Sequence, residues 1–236
     1  MAMTEKPRPV DDAERQLLQW MNGLEGFLSS TDALTLYRTA KALPAGATIV
    51  EIGSFKGKST VCLALGLKAA GNASARVYAV DPFEGKGSGI DVPPTFEAFQ
   101  QNVKASGVEP WVVPQRMTSE AAAGQWTKPI HLLWIDALHE YPFAVQDLRL
   151  WKPFLVAGGK LLMDDLFEGW NEGVCRAFKE EVVFSREFDE VSLSHCLGQA
   201  TKQGCSWPTL VLRSVYWFAW ITRKRWRRAL PAWLGR

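Results

Sequence analysis

Apolar and polar positions along this chain alternate between short buried runs and longer helical rhythms. Over residues 13–28, Leu17, Leu18, Trp20, Met21, Leu24, Phe27 and Leu28 recur with the period of an amphipathic helix. Ser29, Ser30, Thr31 and Asp32 offer caps for a second helix reaching residue 43, which Pro44-Ala45-Gly46 ends. The apolar run 47–52 lies between Gly46 and Gly53 and reads as a central parallel strand covered on both faces. A helix over 61–70 follows, with Ser59 and Thr60 offering caps. Further strands are expected at 75–81, 111–114, 131–136 and 160–163, and helices at 95–105 and 143–152. Residues 85–94, rich in glycine and proline, read as a mobile loop suited to an active-site lid. Downstream, 167–181 reads as a helix carrying Trp170 and Asn171, and strands are expected around 191–193 and 197–201. Residues 209–212 read equally as a last strand or the start of a helix. Strands alternating with helices argue an α/β fold with a parallel sheet.

Composition narrows the class. With 236 residues, 47% hydrophobic and 22% charged, the chain has the make-up of one sizeable soluble domain with additions. The net charge of +2 gives no overall bias toward polyanions. Its placement is uneven, however: from Arg213 to Arg236 there are seven basic residues and no acid, so the remainder carries −5. Four cysteines without a C-x-x-C pair argue against a zinc site and for a reduced, cytosolic setting. The polar first residues lack an apolar signal core, and no run approaches the ~18 apolar residues of a membrane span. The expected organisation is a disordered leader over 1–12, a helical cap over 13–45, a main domain over 46–212 and a basic aromatic tail over 213–236.

The turn after the first strand carries the first chemical signal. Gly53 and Gly57 lack the G-x-G-x-x-G spacing of a dinucleotide fingerprint, and no glycine precedes Gly57-Lys58-Ser59 at the phosphate-loop distance. What remains is Glu51-x-Gly53-x-x-x-Gly57, whose strand-end carboxylate suits a ligand with a cationic end. It resembles the first motif of the class I S-adenosylmethionine-dependent methyltransferases. One strand–helix–strand unit later stands Asp81. In nucleoside-binding parallel sheets an acid there accepts hydrogen bonds from ribose hydroxyls, and before Pro82 it equally suits a turn. Phe83 suits either a place against an adenine ring or the surface.

The stretch Ile135-Asp136-Ala137-Leu138-His139-Glu140-Tyr141, then Asp147-Leu148, Trp151, Leu155, Gly158-Gly159 and Asp164-Asp165, extends the resemblance. It is similar to the methyltransferase family that includes macrolide-sugar O-methyltransferases, with Ala137 standing where glycine is usual. The resemblance implies a Rossmann-like α/β fold, a seven-stranded mostly parallel sheet with helices on both faces. It implies S-adenosylmethionine held by Glu51, Gly53, Ser54, Gly57, Ser59, Asp81, Phe83, Thr118, Ser119 and Asp136. Thr118 and Ser119 serve equally as a helix cap. It further implies that Asp136, Asp164 and Asp165 hold a divalent cation, Mg²⁺ ahead of Mn²⁺ or Ca²⁺, because three crowded carboxylates need an offsetting charge and oxygen donors select a hard ion. One of Asp164 and Asp165 could instead cap the next helix. His139, three residues past Asp136, is the expected general base toward a sugar hydroxyl, while Tyr141 either lines the pocket or packs. His131 and His195 have no assigned role.

The expected function is therefore methyl transfer from S-adenosylmethionine to a hydroxyl of a sugar or glycoside, in the cytoplasm, by a chain that could pair with a second copy. Two alternatives stay open: a metal-independent small-molecule methyltransferase, or a non-catalytic cofactor-binding module. The tail 213–236 suits an anionic membrane surface or a helix docked on the domain or on a partner subunit, and the acidic remainder argues against nucleic acid.

Overall fold

Each strand expected from the apolar runs forms, and the connections between them are largely helical. The structure is a computed structural model that describes residues 9–87, 89–166, 172–194 and 196–217. It divides after Trp126 into two compact units. Seven strands make one mostly parallel sheet in the order β5-β2-β1-β6-β7-β9-β8, the Rossmann-like α/β class expected.

In the first unit, α1 (Asp12–Met21) opens with a capping box in which Asp11 and Glu14 each accept the other's backbone N–H. The helix stops at Asn22 rather than continuing to residue 28, because Gly23 and Gly26, the latter at φ 146°, weaken the pattern. Glu14 is fully buried and takes two hydrogen bonds, at 2.7 and 2.9 Å, from Arg38 on α2 (Ser30–Lys41). That bidentate ion pair fixes α1 to α2. Ser29 caps α2, as its sequence suggests.

The sheet of this unit is β1 (Thr48–Ile52), β2 (Arg76–Val80) and β5 (Val112–Gln115), all parallel, with Ile52 opposite Val80 and Val80 opposite Gln115. Between β1 and β2 runs α3 (Lys58–Ala69), whose Val61, Leu63 and Leu67 are fully buried. The expected mobile loop carries an antiparallel pair, β3 (Lys86–Gly87) with β4 (Ile90–Asp91), and its end is tied by Val92 N–H to Gly85 and Thr95 N–H to Phe83. α4 (Phe96–Ala105), a 3₁₀ turn (Glu109–Trp111) and α5 (Ser119–Gly124) complete the unit.

In the second unit, β6 (Ile130–Ile135) and β7 (Leu155–Met163) are parallel, and β9 (Leu197–Lys202) and β8 (Phe188–Ser194) add antiparallel to β7. β7 starts before the expected 160–163 and takes in Gly158-Gly159. Register jumps there from Leu155 opposite Ile130 to Lys160 opposite Leu132, with Gly158 at φ 79°. α6 (Tyr141–Trp151) and a 3₁₀ turn (Lys152–Phe154) link β6 to β7. α7 (Glu172–Phe178) runs into a π-helical turn (Lys179–Val183). Residues 207–217 form a helix, α8, which settles the two readings of 209–212 and crosses the expected border at residue 213. Expectations for the leader 1–8, for Trp170, Asn171 and His195, and for the tail beyond 217 lie outside the described residues.

The contact of α2 with α3 is set by one glycine. A Cβ on Gly66 would stand 2.4 Å from the Tyr37 carbonyl oxygen and 2.9 Å from Ala40 Cβ. Alanine favours a helix over glycine by roughly 1 kcal/mol, yet Gly66→Ala is expected to destabilise the protein by about 1–3 kcal/mol, because backbone must move. A lowered urea midpoint at constant slope is the expected reading, and an unchanged or raised midpoint would contradict this account of the contact.

Candidate active site

Two strand-end acids shape the turn of the first unit. β1 ends at Ile52, and the Gly53 N–H, at φ 85°, donates to the Val80 carbonyl at 2.9 Å. Asp81 follows β2 directly. Its Oδ2 accepts the N–H groups of Ser54 (2.9 Å) and Phe55 (2.8 Å), and its Oδ1 accepts that of Phe83 (2.5 Å). One carboxylate thus clasps both loops. A carboxylate offers about four acceptor sites, so this half-exposed group can also take a ligand hydroxyl.

Glu51 sits beneath the turn rather than in it. It is 0% exposed and accepts from the hydroxyls of Ser54 (2.8 Å), Ser59 (2.6 Å) and Thr60. Ser59 and Thr60 therefore do not cap α3. Its N-cap is Gly57, at φ 83°, with no side-chain cap bond. A buried carboxylate needs donors more than a helix end with backbone alternatives does. Burial pushes the Glu51 carboxyl up from an ordinary 4.5 to about 7, with the three hydroxyls pulling the other way and the Asp81 charge adding to the rise. Gly57 is needed on two counts, its positive φ and a Cβ that would stand 2.9 Å from the Phe99 ring. Phe83 is fully buried, 5.1 Å from the Phe96 ring and 4.8 Å from the Phe99 ring between centroids, so its ring braces the loop from inside. Thr118 caps α5 through Ala121 N–H at 3.2 Å, and Ser119 is the helix's first residue.

The second unit gathers a different set. Ile135 lies opposite Met163, so Asp136 and Asp164 leave adjacent parallel strands together, and Asp164 N–H donates to the Ile135 carbonyl at 3.0 Å. Asp165 takes φ 60°, a conformation costly for a residue with a Cβ, and its N–H donates to Asp164 Oδ1 at 2.8 Å. His139 Nε2 meets Asp165 Oδ2 at 2.7 Å. Ligand atoms of Asp136, His139 and Asp165 all lie within 4.8 Å of one another. These residues, with Asp164, Met163 and Val174 among their neighbours, line a cavity of about 10 Å³, roughly the room one water-sized sphere needs. The hydrogen bond to Asp165 raises the His139 pKa; burial opposes the rise, and the charges of Asp165, Glu140 and Asp164 reinforce it.

The trio that converges therefore differs from the three acids named from sequence. His139 joins Asp136 and Asp165, and Asp164 lines the same cavity. The signal was present, since three residues after Asp136 is close enough to share its pocket. Tyr141 packs instead of lining the pocket: its hydroxyl donates to Glu180 at 2.6 Å and Arg176 stacks on its ring at 4.1 Å. Sequence reasoning also missed Gly173, where a Cβ would stand 2.6 Å from the His139 carbonyl oxygen and 2.5 Å from Tyr141 N. The only trace of it was a glycine inside a helical stretch.

Strand-end acids beside a glycine turn, on a seven-stranded mostly parallel sheet, define a nucleoside-binding fold of the class I kind. Residues 50–166 match the family model described as a methyltransferase domain. Among solved structures, the chain is similar to cofactor-bound Rv0187 from MTB, with 18% identity, 83% of this chain and 91% of that one covered and a TM-score of 0.59. It is similar to the O-methyltransferase TomG from Streptomyces achromogenes in complex with S-adenosylmethionine, at 16% identity, 82% and 91% coverage and a TM-score of 0.59. It is also similar to CalS11, a TDP-rhamnose 3'-O-methyltransferase, at 18% identity, 80% and 93% coverage and a TM-score of 0.55. The chain is an enzyme, a class I S-adenosylmethionine-dependent methyltransferase.

A buried acid whose pKa is raised on folding weakens the fold as it ionises. Glu51 binds its proton more tightly folded than unfolded, so its contribution is most favourable below about pH 4.5 and is lost as pH rises to about 7. Glu51→Gln removes that titration. The difference in thermal midpoint, wild type minus Glu51→Gln, is expected to fall as pH is raised from about 4.5 to 7, and a flat difference across that window would contradict it.

Proposed function

We propose that this enzyme transfers the S-adenosylmethionine methyl group to a hydroxyl of a sugar or glycoside, aided by a divalent cation. The observation that carries the reading is the convergence of Asp136, His139 and Asp165 around a cavity of ion size. The chain's similarity to the O-methyltransferase TomG and the TDP-rhamnose 3'-O-methyltransferase CalS11 supports it. The first unit's turn and Asp81 are assigned to the cofactor, with Glu51, Ser59 and Phe83 holding that turn from beneath and Thr118 and Ser119 at the adenine. The second unit's cluster is assigned to the acceptor.

The side chains present fit a cation, since two carboxylates already meet and a third, Asp164, leaves the neighbouring position. Asp136, Asp164 and Asp165 would supply hard oxygen donors, which favours Mg²⁺. A bound cation would lower the pKa of the acceptor hydroxyl and fix its direction. In the reaction the acceptor oxygen attacks the methyl carbon. The carbon–sulfur bond breaks with its electron pair passing to sulfur, and the hydroxyl proton passes to the His139 imidazole. Asp165 orients that ring and stabilises the imidazolium that results.

A metal-independent version has its own support, because the His139–Asp165 pair is already formed at 2.7 Å. Methyl transfer to a panel of nucleotide sugars and glycosides, followed as S-adenosylhomocysteine release with and without a chelator, separates the two. The expected result is loss of turnover on chelation with recovery on adding Mg²⁺. His139→Ala should lower kcat by about 10²–10⁴ while leaving S-adenosylhomocysteine affinity unchanged. Turnover that survives the chelator but not His139→Ala would favour the metal-independent version. Turnover that survives both would overturn the assignment.

A further inference from the structure

Helix α8 has two unlike faces. On one, the Arg213 guanidinium donates to the carbonyls of Val183 (2.7 Å), Phe188 (2.6 Å) and Ser185 (2.5 Å), and Trp217, 2% exposed, stacks on Phe178 with centroids 6.1 Å apart. This face is fixed to the second unit. The other face carries Trp207, Val211, Leu212, Val215 and Tyr216, exposed by 57–71%. At about 100° per residue these five fall on one half of the helix circumference. Among the described residues only Phe27 and Phe143 are other large hydrophobics of comparable exposure, so the apolar surface is concentrated here.

The sequence around this face is cationic. Glu190 is the last acid in the chain, and Lys202, Arg213, Arg223, Lys224, Arg225, Arg227, Arg228 and Arg236 follow it. Trp226 and Trp233 are interspersed with the last six of these, and Trp220 precedes them.

We propose that α8 docks the enzyme onto an anionic lipid bilayer surface. Its apolar face enters the headgroup–acyl boundary, and the cationic sequence around it favours anionic lipid. Charge and chemistry together select this occupant. A nucleic acid would answer the cations but offers little to Val211, Leu212 and Val215. A second copy paired through this face would bring the same cationic sequence and no acid after Glu190 to offset it. No helix among the described residues is long and apolar enough to cross a membrane. The inference is independent of the acceptor and of the metal.

Co-sedimentation of the full chain with phosphatidylcholine vesicles, and with vesicles of equal parts phosphatidylcholine and phosphatidylglycerol, tests it. Binding is expected only to the anionic vesicles and should weaken as salt is raised. The double substitution Val211→Glu and Val215→Glu changes two side chains exposed by 57% and 62%, so the fold should persist with an unchanged thermal midpoint and cofactor affinity. It should lower partition by about tenfold or more. Failure of the wild type to bind anionic vesicles, equal binding to both compositions, or equal binding by the variant would overturn the proposal. So would a lipid-free dimer that the double substitution abolishes, because the face would then belong to a second copy.

Discussion

The register of β6 against β7 is the constraint on which the proposed chemistry of this chain depends. Parallel strands place all their carboxyl ends on one edge, and pairing Ile135 with Met163 makes Asp136 and Asp164 neighbours by necessity. A slip of one residue would send each acid to the opposite face. The flanking core residues prevent such a slip. Leu132, Leu133, Trp134, Leu161 and Leu162 are buried to within 1%, so no alternative register leaves that surface covered. Asp165 is then driven into a left-handed conformation, and the hydrogen bond to His139 helps hold it there.

The same logic, with different chemistry, operates in the first unit. β1 against β2 sets Ile52 opposite Val80 and thereby brings the Asp81 carboxylate to the backbone of the glycine turn. Glu51 and Asp81 are both strand-end acids, yet their environments separate their roles. One is fully buried under three hydroxyls and acts as a support, and the other keeps partial access to solvent and can receive a ligand. Identical functional groups on adjacent strands thus divide the work by burial alone.

Much of this was legible in the residues. The short apolar runs placed all seven strands of the main sheet. The acid-x-Gly-x-x-x-Gly turn and the Asp136–Asp165 stretch pointed to a methyltransferase of the class that the fold and family match establish. What escaped was three-dimensional. Helical periodicity could not reveal that Ser59 and Thr60 would serve a buried carboxylate rather than a helix end, because both uses need the same hydroxyls at the same positions. Nor could spacing alone show that His139 would meet Asp165 as well as share the Asp136 pocket. A side chain's direction depends on the backbone after the strand, and Asp165 at φ 60° reorients that end. Phe83 read as a surface or ligand-facing ring because its neighbours Phe96 and Phe99 come from a later helix.

The most direct test of the central claim is anomalous diffraction at the manganese edge from crystals grown with Mn²⁺ and S-adenosylhomocysteine. A single strong peak within coordination distance of the Asp136 and Asp165 carboxylates is the predicted result. A protein–product complex with no peak there, or with the ion bound elsewhere, would contradict the view that these strand ends were brought together to hold one.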